Sequence, residues 1–220
     1  MKSMSEMVTV HDIESLGLSL SMDREQFYTE QEKVFVETGK PSKMVEVVHV
    51  LLFHQDGSLL IQQRSNKKTQ NQNLLDKSAG GHIQYGNTPD YTVMVETVQE
   101  LQVPSITLKN ETDFRKTYLL LQKYLNTVAV VQYVGSFDTT LGRLFGDKRV
   151  LIANRIHFFL GVYTGAVKNV DREAKGIIFY AFDDLRKEVA ETPERFTEDI
   201  QFLLREHADD IRSFSLKLNK

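Results

Sequence analysis

The sequence predicts an α/β fold with one main domain. Strand-like and helical segments alternate along the 220 residues, the first strong strand is apolar enough for burial on both faces, and the last segment is an amphipathic helix. Hydrophobic residues make up 41% of the chain and charged residues 26%, a balance typical of globular domains that bury a core. We therefore expect one domain with appended segments.

Residues 1–42 are predicted to be an N-terminal extension that carries one helix. The segment is polar at first, and aromatic and aliphatic residues then recur at near-helical spacing from about residue 22 to 38. Gly39 and Pro41 would end this helix, because glycine favours the left-handed position after a helix and proline cannot continue one. The main domain is then expected over residues 43–220.

The main domain is predicted to begin with a β-hairpin. Residues 45–53 are an almost continuous run of apolar, largely β-branched residues, which suits a strand buried on both faces of a sheet. Asp56 and Gly57 supply a turn, and residues 59–63 return as the second strand.

A helix is predicted to begin at the sequence Thr88-Pro89-Asp90, after a polar loop over residues 66–77 and a short strand. Thr88 is a good N-cap, Pro89 suits the first helical position, and Asp90 is favourable near the positive end of the helix. Pro104 would end this helix.

The second half of the chain again mixes strands and helices. Helices are predicted over residues 113–125, from Asp183 onward and over residues 197–214, and strands over residues 128–134, 156–162 and 176–182. Residues 136–155 carry three clusters of turn-prone glycine or aspartate and are predicted to be an insertion in the main domain.

Composition narrows the classes of partner and compartment. The formal net charge is −3, with basic and acidic residues interspersed, so we expect no nucleic-acid partner. The chain has no cysteine, which excludes disulfides, thiolate zinc sites and a cysteine nucleophile, and which fits a cytoplasmic protein. No apolar leader or run of about 18 apolar residues is present, so no membrane partner is expected. A homodimer is the default assembly, since dimers are the commonest oligomers.

The stretch with the clearest chemistry is a glycine-rich loop that leads into the predicted helix, GGHIQYGNTPDYTVMVETVQELQV at residues 80–103. Glu96, Gln99 and Glu100 fall on one face of that helix, because residues three and four apart are neighbours about 5–6 Å apart at Cβ. Hard cations such as Mg²⁺ prefer oxygen ligands and combine one or two protein carboxylates with substrate phosphates. The stretch therefore indicates phosphate chemistry with a divalent cation.

The same stretch resembles the conserved box of the Nudix superfamily, whose pattern is G-x5-E-x7-R-E-U-x-E-E-x-G-U, with U aliphatic. Its glycine and charged positions fall here, in order, on Gly81, Asn87, Val95, Glu96, Gln99, Glu100 and Gln102. The first glycine and two glutamates are retained, and the other four positions differ from the family pattern. The box is therefore degenerate.

Flanking segments strengthen the resemblance and are similar to the isopentenyl-diphosphate-isomerase-like branch of the superfamily. They are QQRS, LLDKSAGGH, DREAKGIIFYAFDDLRKEV and TPERFTEDIQFLL, so the resemblance runs from about residue 45 to 210. The catalytic cysteine of the isomerases would fall on Gly80, and the chain has no cysteine. Isomerase activity is therefore not expected.

The resemblance implies a fold, a reaction and a set of site residues. The fold is a Nudix-type α/β/α sandwich with a mixed β-sheet, and the reaction is hydrolysis of an organic or nucleoside diphosphate with Mg²⁺ or Mn²⁺. Glu96 and Glu100 would be catalytic metal ligands, Gln99 would offer a neutral oxygen, and Gly81 its main-chain oxygen. The substrate would be a small-molecule diphosphate in a pocket shaped by residues 62–84 and 136–155.

Several alternatives stay open at this point. Arg64 is a candidate for a substrate phosphate, but a salt bridge to the box helix is an equal one. His82 is a candidate substrate contact or a structural, hydrogen-bonded histidine. Asp171 and Glu173 are candidates for a late catalytic base, and His49 is expected to be a core histidine.

A second function, that of a protein without catalytic activity, is also open. The altered box positions favour a module that has lost catalysis and acts as a regulatory protein by binding a nucleotide or a protein, whereas the retained pair Glu96 and Glu100 favours an enzyme. Val95 cannot orient the box carboxylates as the family arginine does, and the residues that could replace that charge are Arg64, Lys77 and Arg155.

Overall fold

The protein is described by a computed structural model that covers residues 6–15, 18–167 and 174–218. Ten strands in these residues form one mixed sheet. The strands are β1 (Met7–Asp12), β2 (Ser19–Asp23), β3 (Lys43–Phe53), β4 (Leu59–Arg64), β5 (Leu75–Asp76), β6 (Ala79–His82), β7 (Ser105–Leu108), β8 (Ala129–Phe145), β9 (Lys148–Val162) and β10 (Ala174–Tyr180). The helices are α1 (Arg24–Thr38), α2 (Pro89–Leu101), α3 (Glu111–Leu121), α4 (Phe182–Glu191), α5 (Glu198–Glu206) and α6 (Ala208–Leu218).

The main path of the sheet runs β10-β4-β3-β9-β8-β7. Strand β3 is parallel to β9, and β7 is parallel to β8, whereas β10 with β4, β3 with β4 and β8 with β9 are antiparallel. The short strand β6 pairs antiparallel with β3 and places the glycine-rich loop beside it. No helix in the described residues is long and apolar enough to cross a membrane.

Strand β3 supplies two hydrophobic cores. Val47 and Leu51 belong to the core that contains Leu203 of α5, while Val48 and Val50 belong to the core that contains Val93 and Leu101 of α2. Successive side chains of a strand point to opposite faces, so a strand between two layers needs apolar residues at almost every position. The predicted α/β sandwich with a mixed sheet is confirmed.

The hairpin and the box helix form where the sequence predicted them. Gly57 takes a positive φ of 84° between β3 and β4. The Thr88 side chain accepts a hydrogen bond from the Tyr91 amide, and Pro89 occupies the first turn of α2. Gln102 ends α2 with φ 57° and ψ 32°, the left-handed conformation that usually selects glycine.

The N-terminal segment differs from its prediction. It contains α1, which begins at Arg24, but also strands β1 and β2, which were not predicted. Strand β1 pairs with β2 and also with β3, where Val10 lies opposite Val45. Short strands of this kind are defined by distant partners rather than by their own sequence. The division of the chain at residue 42 stays a prediction.

Two further elements differ in shape from their predictions. Strands β8 and β9 continue as a regular ladder through residues 136–155, and only the residues around Gly146, with φ 58°, form a turn. The predicted C-terminal helix is interrupted at His207, which separates α5 from α6 and contacts the rings of Phe137 and Phe202. Strand β7 was also missed.

Candidate active site

A cavity of about 770 Å³ lies between β3, β6, the box helix α2, the loop before β5 and the N-terminal segment. Its volume is typical of sites for small molecules. Its charged and histidine lining consists of Glu6, Arg24, His49, Arg64, Lys68, Lys77, His82, Glu96, Glu100 and Arg143. The predicted substrate contacts Arg64 and His82, and the pair Glu96 and Glu100, therefore line one cavity.

The glycine loop packs directly against the glutamates of α2. A Cβ atom on Gly81 would lie 1.9 Å from Glu96 Oε1, so the close approach of this carboxylate requires glycine. The amide of Gly80 donates a hydrogen bond of 3.1 Å to Glu100 Oε2. The structure thus brings the retained box residues together, with two carboxylates beside the main chain of β6.

The two carboxylates lie in an environment that disfavours their charge. Burial, and then repulsion by Glu100 and Glu6, raises the pKa of Glu96 to about 8. Burial also raises the pKa of Glu100, while the positive charge of Lys68 and the hydrogen bond from Gly80 act against that rise. Two acids that lie close together with little exposure to solvent are stabilised in their charged forms by a bound cation.

The substituted box positions lie around this pair without restoring its missing groups. Gln99 and Asn87 are exposed at the cavity, and Val95 is partly buried there. In the described part of the chain, no group of three or more histidine, cysteine or acidic side chains is arranged to hold a metal ion. Because Mg²⁺ keeps waters and substrate phosphates alongside one or two carboxylates, Glu96, Glu100 and the Gly81 carbonyl still fit a cation that binds with its substrate.

The positive charge that most offsets Glu100 comes from Lys68, which the sequence analysis did not single out. Burial lowers the pKa of Lys68, while attraction to Glu100 and Glu96 acts in the other direction. The loop that carries it is held in place, because the Gln72 side chain donates a hydrogen bond of 2.6 Å to the Lys68 carbonyl. The only sequence signal was a pair of lysines, at 67 and 68, in a polar loop before the box.

Arg64 lies in the cavity wall but does not pair with α2. Its Nη1 donates to Asp76 Oδ2 at 3.0 Å, and its Nη2 donates to the Gln70 carbonyl at 3.1 Å. The alternative of a salt bridge to the box helix is therefore wrong, and the partner is the buried Asp76 of β5. Its planar side chain is fixed at the cavity, which is what recognition of a phosphate requires.

His82 follows Gly81 on β6 and contacts the N-terminal helix. A hydrogen bond of 2.7 Å joins its Nε2 to the hydroxyl of Tyr28 on α1. Burial lowers the pKa of His82 well below its ordinary value, and the charges of Arg24, Arg143 and Lys77 lower it further. His82 is therefore a neutral, oriented side chain in the cavity lining.

The floor of the cavity is a network of buried ion pairs. Asp199 Oδ1 accepts from His49 Nε2 at 2.9 Å and from Arg143 Nη2 at 3.3 Å, and lies 3.7 Å from Lys77 Nζ. Lys77 Nζ also lies 3.2 Å from Asp76 Oδ1. Burial lowers the pKa of His49 to about 4, so it stays neutral in the core as the sequence analysis expected.

Arg143 belongs to the predicted insertion, and Asp199 to the first turn of α5, so the floor joins distant parts of the chain. Arg155, considered above as a replacement for the family arginine, instead pairs with Asp138 on the neighbouring strand. Asp171 and Glu173, the candidates for a late base, lie outside the described residues.

Comparison with known proteins identifies the family of the chain. The family model of the NUDIX domain matches residues 43–200, and the chain therefore belongs to the Nudix family. The resemblance to the superfamily is confirmed, whereas its isomerase-like branch stays a prediction. No curated protein sequence matches the chain significantly.

Several solved structures are similar to the chain at low sequence identity. The DR0079 protein of Deinococcus radiodurans is 21% identical with a TM-score of 0.53, and the match covers 73% of this chain and 81% of that one. The MutT protein of Methanosarcina mazei Go1 is 14% identical with a TM-score of 0.47, over 80% and 96% of the two chains. A bifunctional NMN adenylyltransferase/ADP ribose pyrophosphatase of Francisella tularensis, complexed with AMP and Mn ion, is 17% identical with a TM-score of 0.46, over 83% and 47%.

Proposed function

We propose that the protein hydrolyses a diphosphate linked to an organic moiety or a nucleoside, with Mg²⁺ or Mn²⁺ bound at the box. The observation that carries this proposal is the pair of half-buried Glu96 and buried Glu100, packed on Gly80 and Gly81 at the wall of a cavity rich in positive charge. Membership of the Nudix family supports the same class of reaction.

The residues that would hold the cation are Glu96, Glu100 and the main-chain oxygen of Gly81. A divalent cation supplies neutralisation of the diphosphate charge and activation of water. Glu100 is oriented for this role by the Gly80 amide, and Glu96 must lose its proton to become a ligand. Gln99, exposed on the same face, offers only a neutral oxygen and so lowers the charge that the site presents.

The rest of the cavity would orient the substrate. Arg64 is fixed by Asp76, and Lys68 and Lys77 bring further positive charge to the same wall. Positively charged groups held in place before the reaction can stabilise charge that develops on the phosphate oxygens. His82, neutral and oriented by Tyr28, is a substrate contact that can exchange a hydrogen bond.

A binding module without catalysis is the second candidate. It is favoured by Gln99 in place of a third glutamate and by Lys68, whose positive charge already offsets part of the charge of Glu100. The two candidates differ in one measurable property, which is turnover in the presence of a divalent cation.

The test is a phosphate-release screen over nucleoside and isoprenoid diphosphates with Mg²⁺ and Mn²⁺. Enzyme function predicts turnover by the natural chain, a loss of about 100-fold or more in Glu100→Gln, and higher affinity for the cation in Gln99→Glu. Glu37→Gln, an exposed position on α1, is the matched control and should change nothing.

Turnover that arises only in Gln99→Glu would reject the enzyme and support the binding module. Isothermal titration with Mn²⁺ tests the metal separately from activity. Binding that is equally strong in wild type and Glu100→Gln would reject the metal ligands named here.

A further inference from the structure

We propose that the cavity contains a second anion site, formed by Arg24, Lys77 and Arg143 around His82, and that the ligand carries a phosphate or carboxylate there in addition to its diphosphate. This inference rests on the proposed function for the diphosphate part of the ligand. It extends that function by naming the substrate class: a diphosphate whose organic moiety is itself anionic.

Arg143 gives the strongest evidence for such a site. Only 7% of this residue is exposed, although it lines the cavity. Its Nη2 donates to Asn154 Oδ1 and Asp199 Oδ1, both at 3.3 Å, whereas its buried Nε has no hydrogen-bond partner in the described structure. A buried donor without a partner on a charged group costs free energy, so a ligand atom that accepts a hydrogen bond from Nε would stabilise this guanidinium.

Arg24 brings a second guanidinium to the same place from the start of α1. Its Nη1 donates to Glu6 Oε2 at 2.8 Å, which holds the side chain at the cavity wall. Lys77 and Arg143 line the same cavity as Arg24 and His82, and they also pair with Asp76 and Asp199 at its floor. Like charges collected in one cavity create a potential that attracts an anion.

The cavity lining therefore carries charges of both signs. Glu96 and Glu100 can bind a cation, and Arg24, Lys77 and Arg143 line the same cavity. Gly81 of the box and His82 are adjacent on β6, so one small ligand can reach both groups of residues. A ligand with phosphates bound through a metal and a further anion bound by the arginines matches this distribution of charge.

The first test measures anion binding without turnover. Inorganic phosphate and malonate, as a dicarboxylate, are titrated calorimetrically into the metal-free full chain. We expect saturable binding of at least one of them, and a loss of at least about 10-fold in affinity in both Arg143→Gln and Arg24→Gln. Which probe binds distinguishes a phosphate site from a carboxylate site.

The controls separate this site from its surroundings. Arg155→Gln removes an arginine that is paired with Asp138 outside the cavity lining and should bind as the natural chain does. Arg143 is buried, so Arg143→Gln could lose binding because it misfolds. Arg24→Gln tests the same site without that risk, because the Arg24 side chain is 37% exposed. Binding that is absent in the natural chain, or that is lost in Arg64→Gln but unchanged in Arg24→Gln and Arg143→Gln, would overturn the proposal.

The second test compares turnover of diphosphates that differ by one remote phosphate, such as NADP⁺ and NAD⁺, or coenzyme A and its form without the 3′-phosphate. We expect Arg24→Gln to raise KM for the phosphorylated member of a pair by at least about 10-fold, with little change in kcat or for the other member. Equal effects on both members would contradict the second site while leaving the hydrolase intact. Anion binding that depends on Arg24 and Arg143, in a chain without turnover, would instead support the site and reject the hydrolase.

Discussion

Carboxylates line the cavity both at the box and at its floor, but the two regions shift the pKa of these groups in opposite directions. At the box, Glu96 and Glu100 lie beside each other, and burial with mutual repulsion raises the pKa of Glu96 to about 8. At the floor, the pKa of Asp199 is held well below its ordinary value, because the charges of Arg143 and Lys77 outweigh the cost of burial.

This difference separates charge that the protein neutralises itself from charge that it leaves for a ligand. The carboxylates of the floor are paired with arginine, lysine, threonine and histidine side chains, so that region can fold without help from a ligand. The box carboxylates have one backbone donor and the offsetting charge of Lys68. The carboxylates of the floor therefore contribute to stability, whereas those of the box are the ones that the proposed cation would neutralise.

Removing a carboxylate from the ion pairs of the cavity floor should have the largest effect on the free energy of unfolding. Asp199→Ala leaves Lys77 and Arg143 buried without one of their counter-ions, so we expect the free energy of unfolding to fall by about 3–5 kcal/mol in urea denaturation. Asp138→Ala, which breaks the exposed pair with Arg155, is the control and should cost less than about 1 kcal/mol. Similar losses in both variants would mean that the floor is not the stabilising region.

The free energy of unfolding should depend on pH through the Glu96 carboxyl of the box. Folding raises the pKa of Glu96 from its ordinary value of 4.5 to about 8, so the folded chain keeps a proton that the unfolded chain has released. The free energy of unfolding should therefore decrease as pH rises from about 4.5 to about 8, with roughly 1–3 kcal/mol from this group.

Glu96→Gln cannot titrate and should lose that part of the slope, which urea denaturation across the pH range will measure. Mg²⁺ should restore stability at high pH in the natural chain, since it binds the folded, deprotonated site. An unchanged slope in Glu96→Gln would show that this carboxyl is not the titrating group.

Gly81→Ala should damage the box without unfolding the chain. The new Cβ would overlap the Glu96 carboxylate, which is the end of a flexible side chain and can move away. We expect affinity for Mn²⁺ to fall by about 10- to 100-fold, as measured by calorimetry, because one ligand is displaced. Gly176→Ala is the control, since the nearest atom to its Cβ would be 3.8 Å away.

The smallest expected effect is at the end of the box helix. Gln102 has φ 57°, where a side chain costs about 1 kcal/mol and glycine costs little. Gln102→Gly should raise the free energy of unfolding by about 0.5–1 kcal/mol, and Gln102→Ala should give no such gain. A loss of stability in the glycine variant would mean that the Gln102 side chain makes a contribution larger than its strain.

Much of the fold could be predicted because its signals are local. The alternation and capping residues predicted the hairpin of β3 and β4 and the start of α2 at Thr88. Strands β1 and β7 were missed, because a short strand at the side of a sheet is stabilised by partners elsewhere in the chain. The β8–β9 ladder was misjudged near Gly142, since glycine in a strand resembles a turn signal until the partner strand is known.

The sequence by itself determined the family, the layered fold and the acidic residues of the proposed site, because the box residues lie within two turns of one helix and the loop before it. Only the tertiary structure decided which basic residues line the same cavity. Arg24, Lys77 and Arg143 come from a helix, a loop and a long hairpin that no periodicity connects, and their partner Asp199 lies on another helix. Charges that pair across the fold leave no regular pattern in the chain, because their positions follow from how the sheet and helices pack.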